Sequence, residues 1–406
     1  MLPEAQNEAS SSSRRRVGIV SRQLVDRGSA RDGYWYRAPA THDEGAERAV
    51  LLVGSIISDV QAEADTPPST SFSMRVANQA SSIGKVTHAP GGVCLNIARA
   101  LRGLGSAASL VSAVGTDGAG RELLELCSRT GIRTEGVLTI EGARTATVLC
   151  LFNGEGQVVF SLADVRVLDE RVTPAMALSR MDCYEYGGGI VVTDGDLPSD
   201  VLEAVCRRAR GRGCAVCYDP ATVTKAPRCL PALPFIDYLA PNTEELLEIA
   251  RAIDTTRGIS SEESRPPGRA RRRTVDGDGV PDVFFRVAAA VDAVLGRGAR
   301  HVLLTAGKYG AGLYWSCETG IRLAHCPALP ANSIASVNGA GDCLLAGFVR
   351  GLSLGRRKEE ALALGVSSAA QALETKDNVP DPFDAVRLAA DARSLTTRLL
   401  TLTLTS

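Results

Sequence analysis

The segment Ser336-Val-Asn-Gly-Ala-Gly-Asp342 runs into an apolar stretch, Cys343-Leu-Leu-Ala-Gly-Phe-Val-Arg-Gly-Leu352, with helical character. Glycines at 339 and 341 allow the backbone to come close to a ligand. The first N–H groups of a helix lack intrahelical partners and attract an anion. A carboxylate at Asp342 would repel that same anion, so its place there calls for a reason. Phosphate on this loop, with Asp342 on an attacking hydroxyl, is an arrangement suited to phosphoryl transfer. A glycine-rich turn with Asp342 as helix cap fits this segment equally well.

Three further segments carry similar chemistry. Pro90-Gly-Gly-Val-Cys-Leu-Asn96 puts Gly91 and Gly92 at a helix start with a polar Asn96 one turn in; the plain alternative is a turn with Asn96 facing solvent. In Pro241-Asn-Thr-Glu-Glu245 the pair Asn242 and Glu245 fits a capping box. The same pair also fits a carbonyl and a carboxylate organising a hydrated Mg2+. Thr305-Ala-Gly307, with Gly310, lies at a strand end, where ligands of α/β sheets gather; the alternative is a strand-to-strand turn.

The elements that must position these groups follow from periodicity. Ala49–Val53 reads as a buried strand ending at Gly54, and 91–104 as a helix with Ile97, Ala98, Leu101 and Leu104 on one face. TATVLCLF and QVVFSLA alternate like strands around a turn at Asn153-Gly154. The second half repeats strand then helix: a strand region over Cys183–Thr193, a helix over Ser199–Arg212, the strand CAVCYDP, a helix over Glu244–Ile253, a helix over 285–297, the strands HVLLTAG and AGLYW, and helices over Gly341–Leu352 and Glu359–Leu373. This rhythm predicts an α/β fold, a mainly parallel sheet with helices on both faces. Residues 1–45 read as a disordered tail, 46–395 as the folded domain, 255–282 as a disordered insertion and 396–406 as a C-terminal tail.

Composition narrows the function classes. The chain has 406 residues, 45% hydrophobic and 22% charged, with net charge −1. No global field draws it to nucleic acid or an anionic membrane, so any phosphate site is local. No apolar run reaches about 18 residues, and no transmembrane helix is expected. The 11 cysteines include Cys214-Ala-Val-Cys217. That spacing invites a redox or zinc reading, but no second pair accompanies it, and reduced thiols in a cytoplasmic protein suit it better. The arginine-rich run Arg269–Arg273 reads as a solvated loop, and Asp276, Asp278 and Asp282 lack the rest of a calcium loop. Acidic residues among the N-terminal arginines argue against a transit peptide.

The order Gly54-Ser-Ile-Ile-Ser-Asp59, Gly91-Gly-Val-Cys-Leu-Asn96, Ala113-Val-Gly-Thr-Asp-Gly-Ala-Gly120, Pro241-Asn-Thr-Glu-Glu245, Leu304-Thr-Ala-Gly-Lys-Tyr-Gly-Ala-Gly312 and Asn338-Gly-Ala-Gly-Asp342 resembles the ribokinase-like (PfkB) carbohydrate kinase family over about residues 48–385. Ser161-Leu-Ala-Asp164, Asp219-Pro-Ala-Thr-Val-Thr-Lys225 and Leu373-Glu-Thr-Lys-Asp-Asn-Val-Pro380 look most like its pseudouridine kinase branch. The resemblance implies a ribokinase-like fold with a small β-lid from parts of 60–90 and 145–165. It implies ATP and Mg2+ as cofactors and a sugar or nucleoside as acceptor. Asp342 would deprotonate a 5′-hydroxyl, and the amides of Gly339, Ala340 and Gly341 would stabilise the moving charge. Asp59, Gly91, Gly92 and Asn96 would hold the substrate, with Asp164 reaching it from the lid and Lys225 lying near substrate or phosphates. Thr305, Gly307 and Gly310 would follow the nucleotide, and Asn242 and Glu245 would hold Mg2+ through water. Asn338 stands where the family usually has Thr, implying altered nucleotide contacts. Ser336 replaces a usual acidic residue, which leaves open the site for a monovalent cation such as K+. An exposed lid edge leaves room for a homodimer. Other readings are a kinase for ribose, adenosine or another nucleoside, and a catalytically silent nucleotide-binding protein on the same fold.

Overall fold

The computed structural model describes residues 18–24, 47–64, 83–152, 158–256, 279–331 and 333–405. Strand β2 (Val50–Val53) is buried along its whole length, as an apolar strand covered on both faces must be. Its side chains alternate: Leu51 and Val53 enter one core, and Val50 and Leu52 the other. Beside it run β5 (Ser109–Gly115), β6 (Arg133–Ile140), β9 (Ile190–Asp194), β10 (Ala215–Asp219), β11 (Tyr238–Leu239) and β12 (His301–Thr305), all parallel. The antiparallel strands β13 (Ala311–Cys317), β14 (Gly320–Cys326), β15 (Leu400–Thr405) and β1 (Gly18–Leu24) extend the sheet, giving the order β1-β15-β14-β13-β12-β11-β10-β9-β2-β5-β6.

Helices Ser199–Gly211, Thr243–Thr256 and Ala288–Leu295 cover one face, while Val93–Gly103, Ala340–Ser353 and Lys358–Ala372 cover the other. Cys214 and Cys217 belong to opposite cores, so they form no joint site. The strand order runs outward in opposite directions from this point, from β2 to β5 and β6 on one side and from β9 to β10 and β11 on the other. That reversal opens a crevice beyond the carboxyl ends of β2 and β9.

A second sheet, β4-β3-β7-β8, is built from β3 (Ile57–Ala64), β4 (Gly84–Gly91), β7 (Thr147–Phe152) and β8 (Val158–Asp164). These are the segments expected to form the lid. The turn expected at Asn153-Gly154 lies outside the described residues.

Three expectations change. The C-terminal residues form no tail: Leu400, Leu402 and Leu404 alternate with threonines, and β15 pairs with β14, burying Leu402 and Leu404. Part of the expected N-terminal tail, Gly18–Leu24, pairs antiparallel with β15, using the backbone groups that an edge strand leaves open. The strand expected over Cys183–Thr193 is confined to Ile190–Asp194, because Gly187, Gly188 and Gly189 turn the chain first, with Gly188 at φ 70°. Of the expected insertion, residues 257–278 lie outside the described residues. Its ends are ordered, Thr256 closing a helix and Val280 fully buried. Among the described residues no helix is long and apolar enough to cross a membrane.

Candidate active site

Asp342 sits in the first turn of helix Ala340–Ser353. Gly339 before it adopts φ 75°, ψ −5°, and no side chain caps the helix. The first intrahelical bond, from Cys343 N to Gly339 O, spans 2.9 Å, so the amides of Ala340, Gly341 and Asp342 precede the ladder and are available to an anion. The alternative in which Asp342 caps its own helix is not what forms. Its Oδ2 instead accepts from Asn96 Nδ2 at 2.8 Å, across 246 residues of sequence. A Cβ on Gly341 would meet nothing within 4 Å, leaving open space over the turn.

Helix Val93–Gly103 delivers Asn96. It starts at Gly92, whose φ of 94° disfavours any other residue and where a Cβ would fall 2.8 Å from Ser55 O. The leading amides of this helix are already taken: Cys94 N donates to Asp194 Oδ2 at 3.2 Å and Leu95 N to Ser55 O at 3.1 Å. This helix start therefore anchors Asn96 and offers no anion hole. Asn96 is 5% exposed, and its Oδ1 is buried without a partner among the described residues. An unpaired buried acceptor costs about 1–3 kcal/mol until a donor arrives.

Asp59, on β3, lies over Gly91, where a Cβ would fall 2.2 Å from its Oδ2. Asn378 Nδ2 donates to the same oxygen at 3.2 Å. Asp194 ends β9 and cross-ties the crevice. Its Oδ2 accepts from Ser55 N and Ser55 Oγ, both at 2.8 Å, and its Oδ1 from Asp196 N at 3.1 Å. Lys225 pairs with Asp196, so its ammonium is committed to the same basin. Asp219 ends β10, with Oδ1 accepting from Ala221 N at 2.8 Å.

These carboxylates hold one another's charge down. Burial, then the charges of Asp194, Asp59 and Asp196, push Asp342 up to about 7 against the Asn96 hydrogen bond. Burial and Asp196 raise Asp59 to about 6, and burial with Asp196 raises Asp194 to about 6. Asp219 is raised well above the usual carboxylate range by burial and by Asp342 and Glu245. A half-buried group titrating near neutrality is what a general base requires.

On the opposite rim, Asn242 N donates to Glu245 Oε2 and Glu245 N to Asn242 Oδ1, each at 2.9 Å. The capping box is thus realised, and it holds Glu245 nearly buried at 6% exposure. Asn242 bridges Thr305, and the following turn closes through Ala306 N to Gly310 O at 2.9 Å. Gly310, at φ 88°, passes where a Cβ would lie 2.1 Å from Cys326 O, whereas Gly307 faces open space.

The structure therefore gathers Asp59, Gly91, Gly92, Asn96, Lys225 and Asp342 around one crevice, with Asn242, Glu245, Thr305, Gly307 and Gly310 along the adjoining strand ends. Asp164 stands apart: its carboxylate is engaged by Arg166 at 2.9 and 2.6 Å and is exposed. Asn338 is exposed and its side chain caps nothing; its N–H donates to Ser336 Oγ at 3.1 Å. Asp194, Asp196 and Asn378 received no role from sequence reasoning. The first two carried a signal, an Asp-Gly-Asp at the carboxyl end of a parallel strand. Asn378 lies within the Leu373–Pro380 stretch that carries the resemblance, which by itself assigns it no role.

A mainly parallel sheet with a smaller β-sheet beside it, a helix start with open amides and a neighbouring carboxylate form an arrangement suited to phosphoryl transfer to an alcohol. The chain belongs to the pfkB family of carbohydrate kinases, whose model matches residues 48–381. It is similar to the pseudouridine kinase of Arabidopsis thaliana, 26% identical over 84% of this chain and 95% of that protein, and to the pseudouridine kinase of Escherichia coli K12, 27% identical over 82% and 93%. In fold it resembles the ribokinase-like structures, including Arabidopsis thaliana ribokinase complexed with ribose and ATP, at TM-score 0.67 and 19% identity over 86% of this chain and 99% of that one.

Proposed function

We propose that this chain transfers the γ-phosphoryl group of ATP to the 5′-hydroxyl of a ribosyl substrate, and that the substrate is pseudouridine. The observation that carries the reaction is Asp342, held by Asn96 at 2.8 Å beside the open amides of its own helix start. Asp342 takes the hydroxyl proton. Asp59 and the unpaired Asn96 Oδ1 accept from ribose hydroxyls, and Gly91 and Gly92 keep that floor clear. The amides of Ala340 and Gly341 receive the anionic oxygens, with the open space at Gly341 and Gly307 fitting a triphosphate.

Mg2+–ATP, when bound, supplies an electrophilic phosphoryl group with part of its charge neutralised. Glu245 and Asn242 would hold the ion through water. Among the described residues no three His, Cys, Asp or Glu side chains converge on a metal position, and Mg2+ characteristically keeps much of its water. Lid closure excludes water that would compete with the acceptor. The two pseudouridine kinase relatives favour that nucleoside; the ribokinase likeness favours ribose as the second reading. Incubation with ATP, Mg2+ and pseudouridine, uridine, adenosine or ribose, followed by product analysis, tests the choice. Pseudouridine 5′-phosphate is the expected main product; faster turnover of ribose would overturn the base-specific reading while leaving the kinase.

The cytoplasm is the proposed location, on the buried thiols of Cys94, Cys206, Cys217 and Cys343, which pack as small apolar side chains. A lid-to-lid homodimer is the proposed assembly. Cross-strand register sets Val86, Ala62, Leu151 and Phe160 in one row, on the face opposite Asp59. Val86 and Phe160 are 63% and 52% exposed there. Sedimentation at micromolar concentration should show the dimer, and a monomer would contradict it.

A further inference from the structure

Resting on the kinase reading above, we propose that Asn378 is a positioning residue that ties Asp59 and the foot of the lid to the catalytic turn. Its Nδ2 donates to Asp59 Oδ2 and to Pro90 O, each at 3.2 Å, so both amide hydrogens are used. Asp59 belongs to β3 and Pro90 to the last turn of pairing in β4, and the pair of strands forms one side of the lid. The Asn378 carbonyl lies directly beneath Gly339, where a Cβ would fall only 1.8 Å away. It also accepts from Cys343 Sγ at 3.8 Å. One 6% exposed side chain and its own carbonyl therefore touch the acceptor-binding carboxylate, the lid foot and the turn that opens the Asp342 helix.

The need for such a tie is electrostatic and geometric. Asp59 faces the charges of Asp196 and Asp342, which favour its turning away. A donated N–H offsets that repulsion, and charge-assisted hydrogen bonds are the stronger kind. The donor is carried by the body of the protein. Its loop follows helix Lys358–Ala372, which packs against helix Ala340–Ser353 so closely that a Cβ on Gly351 would lie 2.6 Å from Ala361 Cα. Asp59 therefore keeps a fixed distance from the helix that bears the base.

Two variants test this. Asn378→Ala removes the side chain. Asn378→Asp keeps its shape, deletes both N–H groups and sets one carboxylate against another. The KM for the acceptor that the product assay identifies should rise about 10- to 100-fold in both, more in Asn378→Asp, with the KM for ATP unchanged. Amide hydrogen exchange in the unliganded protein should accelerate in Ile57–Ala64 and Gly84–Gly91 and stay the same in Ile190–Asp194. An unchanged acceptor KM with unchanged lid exchange would overturn the proposal. So would a rise in both KM values with faster exchange throughout, since that marks a general folding role. If the wild type phosphorylates no acceptor, the kinase reading falls by itself, and the exchange measurement still decides whether Asn378 holds the lid foot.

Discussion

Replacing Asp342 by Asn is expected to lower kcat by about 10²- to 10⁴-fold, the range a positioned general base contributes. Asn keeps the shape and an oxygen for the Asn96 hydrogen bond, so the loss isolates the proton acceptor. The same change should stabilise the unliganded protein at pH 8. Asp342 titrates near 7 in the fold because of burial and its carboxylate neighbours, against about 3.9 in an unfolded chain. The native state thus binds the proton more tightly. Its ionisation removes stability progressively as pH rises from about 4 to 7, with the full loss above that window. The variant should therefore melt higher than wild type at pH 8, by roughly 1–2 °C per kcal/mol recovered for a domain of this size, and no higher near pH 4. Wild-type kcat/KM should fall on the acid side of about pH 7, and the residual activity of the variant should lack that limb. Undiminished kcat would remove Asp342 as base, while an unchanged melting temperature at pH 8 would remove the account of mutual charge repulsion.

Gly339→Ala is expected to damage both fold and activity, and Gly341→Ala activity alone. At Gly339 the left-handed φ of 75° costs an L-residue about 1–2 kcal/mol. The added methyl would also sit 1.8 Å from Asn378 O, forcing the 378 backbone or the turn to move by more than an ångström. A displacement of that size at the amides can reduce turnover by about 10²-fold. Gly341 has no such neighbour within 4 Å, so its variant should melt like wild type. Its methyl would occupy the space assigned to phosphate oxygens, so the KM for ATP should rise. Thermal melts and steady-state kinetics on both variants separate the two roles. Equal melting temperatures for the two would contradict the packing at Gly339, and unaltered ATP kinetics in Gly341→Ala would contradict the phosphate position.

Much of the architecture is legible in local pattern. Val50–Val53, the helix after Gly92, the helix after Asn242 and the apolar run after Asp342 all appear where periodicity and glycine placement put them, because those signals act over one or two turns of chain. The lid strands follow from alternation in β7 and β8. The C-terminal strand was legible too, in the alternation of Leu400, Leu402 and Leu404, but its shortness gave it the look of a tail until β14 supplied a partner.

The sequence alone determined which chemical groups exist and which are held on turns: the carboxylate at 342 with its glycines, the Asn242–Glu245 box, and the glycine pair before Asn96. Those are properties of residues a few positions apart, set by dihedral limits and helix ends. Only the tertiary structure decided that Asn96 meets Asp342 across 246 residues, that Asp194 pins the start of the Asn96 helix and that Asn378 reaches Asp59. Burial and the approach of like charges move Asp342 from an ordinary carboxylate to one poised near neutrality, and both arise from long-range packing.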